Sequence, residues 1–350
     1  MKKKVLWLLI CLSMVTLVVS GCSSKKESKG DSLKVGVIYT KAKLGGNSFN
    51  DLVQSGLIRA KDDLKIEYTE VEPDTTSDQE NAQETMASGG DYDLIIAVGQ
   101  EQSDILTKQA EKYPDQKYAI VDAVVEMDNV ASYVSKEEEG SFLIGVLSAL
   151  SSEEQVSDKL KNSHTFGFIG GVNNPLINKF LAGYEAGVRF VNEDNKVLAD
   201  YVGGFQDPST AKVITNTMAQ KKADIVYHAA GASGSGMFQA AKEQGILAVG
   251  VNTNQNPTDP DTIIASMLKR VDEATFSCIE DVKNDKFKGG TFNLGIKEKG
   301  VDYTVEGSNI KIPETIIKEI DGIKEKVSSG ELVIPDNVDD VDKFIQDNKK

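Results

Sequence analysis

The 350-residue chain has one tryptophan, two histidines, three cysteines and three arginines, and each scarcity removes a class of function. Cys11, Cys22 and Cys278 cannot supply a disulfide framework, because Cys11 lies inside an N-terminal apolar run and Cys22 at its end, which leaves Cys278 alone in the rest of the chain; the core must be held by packing. His164 and His228 fall in different strand-like runs, and neither H-E-x-x-H nor G-x-S-x-G occurs, so zinc sites and serine triads are poorly supplied. Arg59, Arg189 and Arg270 leave little for bidentate capture of carboxylate or phosphate, which points to a ligand that is not an anion. A formal net charge of −15 speaks against nucleic acid as a partner. After the N-terminus, no second apolar run is long enough to span a bilayer.

The opening MKKKVLWLLICLSMVTLVVSGC combines three lysines, an apolar stretch and small residues before a cysteine, the pattern of an export signal. Trp7 belongs to that leader, so recognition of a flat ligand falls to Phe and Tyr. Val19-Ser20-Gly21-Cys22 resembles the bacterial lipobox. That resemblance implies cleavage before Cys22, lipidation of its thiol, and a protein held on the extracytoplasmic face of the cell membrane by lipid alone. The alternative is an ordinary secretory signal that contains a cysteine. The following SSKKESKGDS is too polar to bury a core and reads as a flexible tether. Residues 1–21 are thus a signal peptide and 22–32 a stalk.

From residue 33 on, strand-like runs alternate with amphipathic helical windows. KVGVIYT, KIEYTEV, DLIIAVG, KYAIVDAVV and NVASYV form one βαβ series, and TFGFIGG, KVLADYVG, DIVYHAAG and ILAVGVN form a second. This predicts an α/β protein of two doubly wound lobes. IIASMLKRVDEATFSCIEDV is a strand and helix too many for the second series, while GTFNLGIKEKG and the last long helix return to it, so the lobes are joined by a multi-crossing hinge. The expected division is 33–145 plus about 258–290 for the N-terminal lobe, and 146–257 plus about 291–350 for the C-terminal lobe.

Ligands of such sheets sit beyond the carboxyl ends of the strands, which focuses attention on the segments there. After the first strand come Thr40 and the loop LGGNSFND, in which Ser48 is a candidate helix cap and Phe49 is either a packing staple or an aromatic platform at a cleft. Asp122 ends a buried strand and is either a cap or an acceptor for a ligand. GASGSG, Gly231 to Gly236, lacks the order of a dinucleotide or Walker loop and reads as a tight turn offering N–H groups to a neutral hydroxyl. NTNQNPTDPD lacks the leading aspartate and turn glycine of a calcium loop, so no metal and no cofactor are expected. His228, beside Tyr227, reads as a satisfied polar core residue.

Taken in order, the lipobox, VGVIYT with SFN, YAIVDAVV, EEGSFLIGVLSAL, FLAGYEAGV, AAGASGSG, GVNTNQ and ASMLKR resemble the basic membrane protein family of ABC-transporter binding lipoproteins, and within it the PnrA-type purine nucleoside receptors. The resemblance covers about residues 33 to 335. It implies two Rossmann-like lobes of the type I periplasmic-binding fold, no enzymatic activity, and a monomer that closes on a purine nucleoside of the guanosine or inosine type and passes it to a permease driven by an ATPase. It also implies roles: Phe49 and Phe205 stack on the two faces of the base, Asn50 and Asp122 bond its edge, and Gly231, Asn252 and Lys269 surround the ribose. Thr40 and Asn252 depart from the family pattern, where acids are usual. A nucleoside-cleaving enzyme would need clustered aspartates that YTKAK does not supply. A ligand-sensing lipoprotein, or a binder of another neutral flat or sugar-like ligand, remains the alternative.

Overall fold

Consecutive apolar residues mark the strands that end up covered on both faces. The computed structural model describes residues 32–45 and 49–348; the expected signal peptide, Cys22, most of the stalk and Ser48 lie outside them. Leu33 to Lys350 form one unit. Its first half runs β1 (Lys34–Ile38), α1 (Phe49–Leu64), β2 (Glu67–Val71), α2 (Thr76–Gly89), β3 (Leu94–Val98), α3 (Ser103–Lys112), β4 (Tyr118–Val121) and β5 (Val130–Ser135). Then come α4 (Glu137–Glu153), β6 (Thr165–Gly170), α5 (Pro175–Val191), β7 (Lys196–Tyr201), α6 (Pro208–Gln220), β8 (Ile225–Ala229), α7 (Gly234–Gln244), β9 (Leu247–Gly250) and β10 (Ile263–Lys269). The chain closes with α8 (Val271–Lys283), β11 (Gly290–Leu294), β12 (Val301–Thr304), α9 (Glu314–Ser329) and α10 (Val341–Asp347).

Two six-stranded sheets result, ordered β2-β1-β3-β4-β5-β11 and β7-β6-β8-β9-β10-β12. The first is parallel throughout, and β12 alone runs antiparallel in the second. Burial follows the pattern expected of helix-covered parallel sheets: β3, β4, β8 and β9 are buried at every position, while the edge strands β2, β7 and β11 are partly exposed and carry charged or polar residues. Apolar clusters flank each sheet on both sides. In both sheets the strand order reverses between the first strand and its second neighbour, so the crevices open beyond β1/β3 and beyond β6/β8.

The expected two doubly wound lobes are present, and the sheets draw the crossings differently from the sequence division. The chain leaves the first lobe at Ser135–Glu137, not within α4, because the whole of α4 lies on α5, β10 and β12 of the second lobe. Close approach makes this possible: a Cβ on Gly183 of α5 would come within 2.1 Å of the Glu138 carbonyl oxygen. The strand IIASMLK was expected in the first lobe, yet β10 pairs with β9 and β12 in the second, where its apolar run gains neighbours on both edges. Only α8 crosses, to pack on α1, and GTFNL follows it as β11 beside β5 rather than joining the second sheet. The three crossings are bonded to one another: Lys136 N–H donates to Leu294 O at 3.1 Å, Arg270 N–H to Gly300 O at 2.8 Å, and Ile296 N–H to Glu139 Oε2 at 2.8 Å.

Candidate functional site

The end of β10 delivers Lys269 to the junction of the lobes. Its side chain is 2% exposed, and its ammonium lies 2.5 Å from Asp122 Oδ2 and 2.8 Å from Glu137 Oε1. Asp122 follows β4 with φ of 65°, a left-handed conformation that Asp tolerates better than most residues, and its N–H donates to Tyr133 O at 2.9 Å. Glu137 is the first residue of α4, where the helix dipole favours a negative charge. The Lys269–Glu137 approach is a charge contact rather than a directed hydrogen bond. Both Glu137 oxygens and Asp122 Oδ1 are therefore buried with no hydrogen-bond partner in the protein. Burial alone would pull the Lys269 ammonium down, but the two carboxylates outweigh it and hold the amine above its ordinary value. Burial pushes the Glu137 carboxyl up, opposed by Lys269. One ring from each lobe completes the surroundings: the ammonium is 5.3 Å from the centroid of Phe49 and 5.7 Å from that of Phe180.

On the first-lobe side, Thr40 and Asn50 build the loop that carries Phe49. Thr40 Oγ1 donates to Asn50 Oδ1 at 3.0 Å and accepts from Ala42 N–H at 3.2 Å, while the Asn50 amide donates to the Thr40 and Ala42 carbonyls. Asn50 is buried, so reaching a base edge requires exchanging these bonds. Phe49 is half-buried against the apolar cluster beneath α1, as are Leu44 and Leu52. It thus acts as a staple and still presents its ring to Lys269.

On the second-lobe side, Phe205 is 38% exposed and lies against Gly171, where an added Cβ would come within 2.2 Å of the ring. The Phe205 carbonyl accepts from Ser233 N–H at 3.1 Å, which ties it to the GASGSG turn. Gly231 opens that turn with φ of 56°, and Gly234 stands over the His228 ring, where an added Cβ would come within 2.0 Å of ring carbon. His228 is buried; its Nε2 faces Gln255 Oε1 at 3.2 Å, and burial pulls its value down to about 4, so it is a neutral core group. Asn252, with φ of 68°, accepts from Lys269 N–H at 3.0 Å through its carbonyl.

Among the expected residues, Phe49, Asp122, Asn252 and Lys269 are therefore in one neighbourhood, and Phe205 and Gly231 in another on the second-lobe wall. Among the described residues Phe49 and Phe205 do not pair as rings. Glu137 and Phe180 were missed by the sequence reading. KEEEGS looks like a solvated first turn, but the sixteen residues from Glu137 to Ser152 are all buried, and an acid run opening such an apolar helix was the available signal. Two other concavities, about 240 Å³ lined by Lys34, Glu67 and Tyr92 and about 290 Å³ lined by Arg189 and Ile345, involve none of these residues.

Residues 33–338 match the family model described as ABC transporter substrate-binding protein PnrA-like. Basic membrane protein A of Borreliella burgdorferi is 30% identical over 97% of this chain and 98% of its own length. An uncharacterized lipoprotein of Pyrococcus horikoshii is 32% identical over 87% of this chain and 77% of its own. A crystal structure of an ABC transporter system solute-binding protein from Aeropyrum pernix K1 superposes with a TM-score of 0.78 at 29% identity, covering 91% of this chain and 97% of that one. The family model and the Aeropyrum structure are both described as substrate- or solute-binding proteins rather than enzymes. The chain belongs to the PnrA-like family of ABC-transporter substrate-binding proteins.

Proposed function

We propose that the protein binds a purine nucleoside between its lobes and delivers it to an ABC permease. The observation that carries this reading is the Lys269 neighbourhood: one acid and one ring from each lobe around a single ammonium, with Asp122 Oδ1 buried and unpaired. A buried acceptor of this kind discriminates in favour of a ligand that brings a donor, and aromatic faces suit a flat base. The arginines support a neutral ligand as well. Arg59 pairs with Glu273, Arg189 with Glu185 and Asp342, and Arg270 with Asp272 and Glu273, so each is engaged with protein carboxylates.

In this reading Phe49 and Phe205 take the two faces of the base, Asp122 its edge, and Gly231, Asn252 and Lys269 the ribose, while Asn50 with Thr40 holds the Phe49 loop. Among the described residues no helix is long and apolar enough to cross a membrane, and the tether is Cys22, which lies outside them. Mass spectrometry of ligand carried through native purification, followed by calorimetry with guanosine, inosine, uridine and glucose, tests the reading. Purine nucleosides bound in preference to the rest support it; preference for the sugar, or no binding of any, rejects it. Loss of Cys22→Ser from the membrane fraction tests the anchor.

A further inference from the structure

Of the two acids that face Lys269, only one travels with it. Lys269 ends β10, which pairs with β9 and β12 in the second sheet, and Glu137 opens α4, which packs on α5, β10 and β12 of the same lobe. The α4 backbone is locked there by the close crossing of Gly183 against Glu138. Asp122 follows β4, which pairs with β3 and β5 in the first sheet. Rotation about the three crossings changes the Asp122–Lys269 distance and leaves the Glu137–Lys269 pair intact.

We propose that Glu137 is a positioning residue of the binding site: it holds the Lys269 ammonium, charged and oriented on the second lobe, independently of Asp122 and of lobe closure. This rests on the reading of the junction as the nucleoside site. An ammonium has three N–H donors; one goes to Asp122 Oδ2, and since the approach to Glu137 Oε1 is a charge contact that uses no directed bond, donor capacity is left for a ligand acceptor. When the first lobe moves away it takes both Asp122 and Phe49 with it, so the amine loses its directed partner and one of its two rings, and Glu137 is the acid that still holds the ammonium beside Phe180. The pair therefore presets the donor that the ligand meets. The other charged or titratable groups around it are Glu138 on α4, Lys179 on α5 and Tyr227 on β8, and all three lie close enough to interact electrostatically with Glu137.

The test is a double-mutant cycle read by calorimetry with guanosine and inosine. Glu137→Gln is expected to weaken binding tenfold or more in the native background and less than twofold on top of Lys269→Met, because the acid acts through the amine. Equal losses in both backgrounds assign Glu137 a structural role and overturn the proposal, as does no loss in either. Glu137→Asp, which keeps the charge on a shorter arm, is expected to lie between the native protein and Glu137→Gln, and it carries the same comparison if the amide variant does not fold. A ligand-free arm separates this proposal from the nucleoside reading. The 13Cε resonance of Lys269, assigned by its loss in Lys269→Met, is expected to titrate at lower pH in the Glu137 variant than in the native protein. An unchanged midpoint overturns the Glu137–Lys269 link even if nucleosides bind, whereas a shifted midpoint in a protein that binds neither guanosine nor inosine rejects the nucleoside reading alone.

Discussion

Lys269 of the second lobe and Asp122 of the first meet at 2.5 Å with both side chains almost wholly buried. Breaking such a pair from the cationic side leaves two carboxylates, Asp122 and Glu137, without a counter-charge. Lys269→Met is therefore expected to lose about 3–5 kcal/mol of stability near neutral pH, and to recover part of it in mild acid as a carboxylate takes up a proton. Asp122→Asn should lose less, since Glu137 still balances the ammonium. Urea midpoints of the three proteins at two pH values check the order.

Two buried groups act in opposite senses over nearly the same pH range. Burial raises Glu138 from 4.5 to about 7, so its contribution to stability is greatest below 4.5 and falls as pH rises through 7. Burial lowers His228 from 6.5 to about 4, so its contribution is full above 6.5 and is lost as pH falls through 4. Each swing is on the order of 3 kcal/mol. Glu138→Gln is expected to be more stable than the native protein at pH 7.5, with the advantage vanishing toward pH 4.5. A gap that does not change with pH would contradict the assignment.

Phe205 and Phe49 should separate binding from stability. Phe205 is exposed over more than a third of its surface, so Phe205→Ala should cost well under about 1 kcal/mol in unfolding while weakening guanosine binding about tenfold or more. Phe49 packs beneath α1 as well, so Phe49→Ala should lose on both counts. Near-native affinity in both variants would remove the base sandwich.

Asn252 already occupies the left-handed region, which Asp also tolerates, so Asn252→Asp is expected to fold normally. In the proposed site a carboxylate there would accept from both vicinal ribose hydroxyls, and charged acceptors contribute about 1.5–3 kcal/mol against about 0.5–1.5 for neutral ones. The variant should prefer ribonucleosides over 2′-deoxynucleosides more strongly than the native protein does. A narrowed preference by calorimetry would take Asn252 away from the ribose.

Glycines at helix contacts and on helix surfaces should respond oppositely to a methyl group. Gly183→Ala would drive its Cβ into the Glu138 backbone and separate α4 from α5, at a cost of about 2 kcal/mol or more. Gly322→Ala, in α9 with open space around it, should gain about 0.5–1 kcal/mol from helix propensity alone. Thermal unfolding of the pair checks both signs.

The sheets were legible because parallel strands buried on both faces are apolar at consecutive positions, as LIIAV in β3 and LAVG in β9 are. The crossings were not, because a strand's own pattern does not say which sheet it joins. IIASMLK fits either lobe, and its place is decided by β9 and β12 on its two edges. Asp122 stood out as an acid ending a buried strand, whereas Glu137 was hidden in a run of three glutamates whose burial depends on the distant α5. Asn50 reads as a polar group at a loop mouth, and only the bonds to Thr40 and Ala42 reveal its part in building that loop.

The exchange of helices between lobes also governs the order in which the molecule can be assembled. α1 buries Val53, Leu57 and Ala60 in a cluster that α8 completes with Val271, Ala274, Cys278 and Ile279, and β5 receives its outer neighbour only when β11 arrives, after the entire second sheet except β12 has been made. A chain emerging from its N-terminus therefore holds an unfinished first lobe, with one apolar helix face and one strand edge open, until residues near 294 appear. Such long-range closure is slow and exposes sticky surface meanwhile. Truncation anywhere before β11 should thus yield an aggregating fragment rather than an autonomous N-terminal lobe.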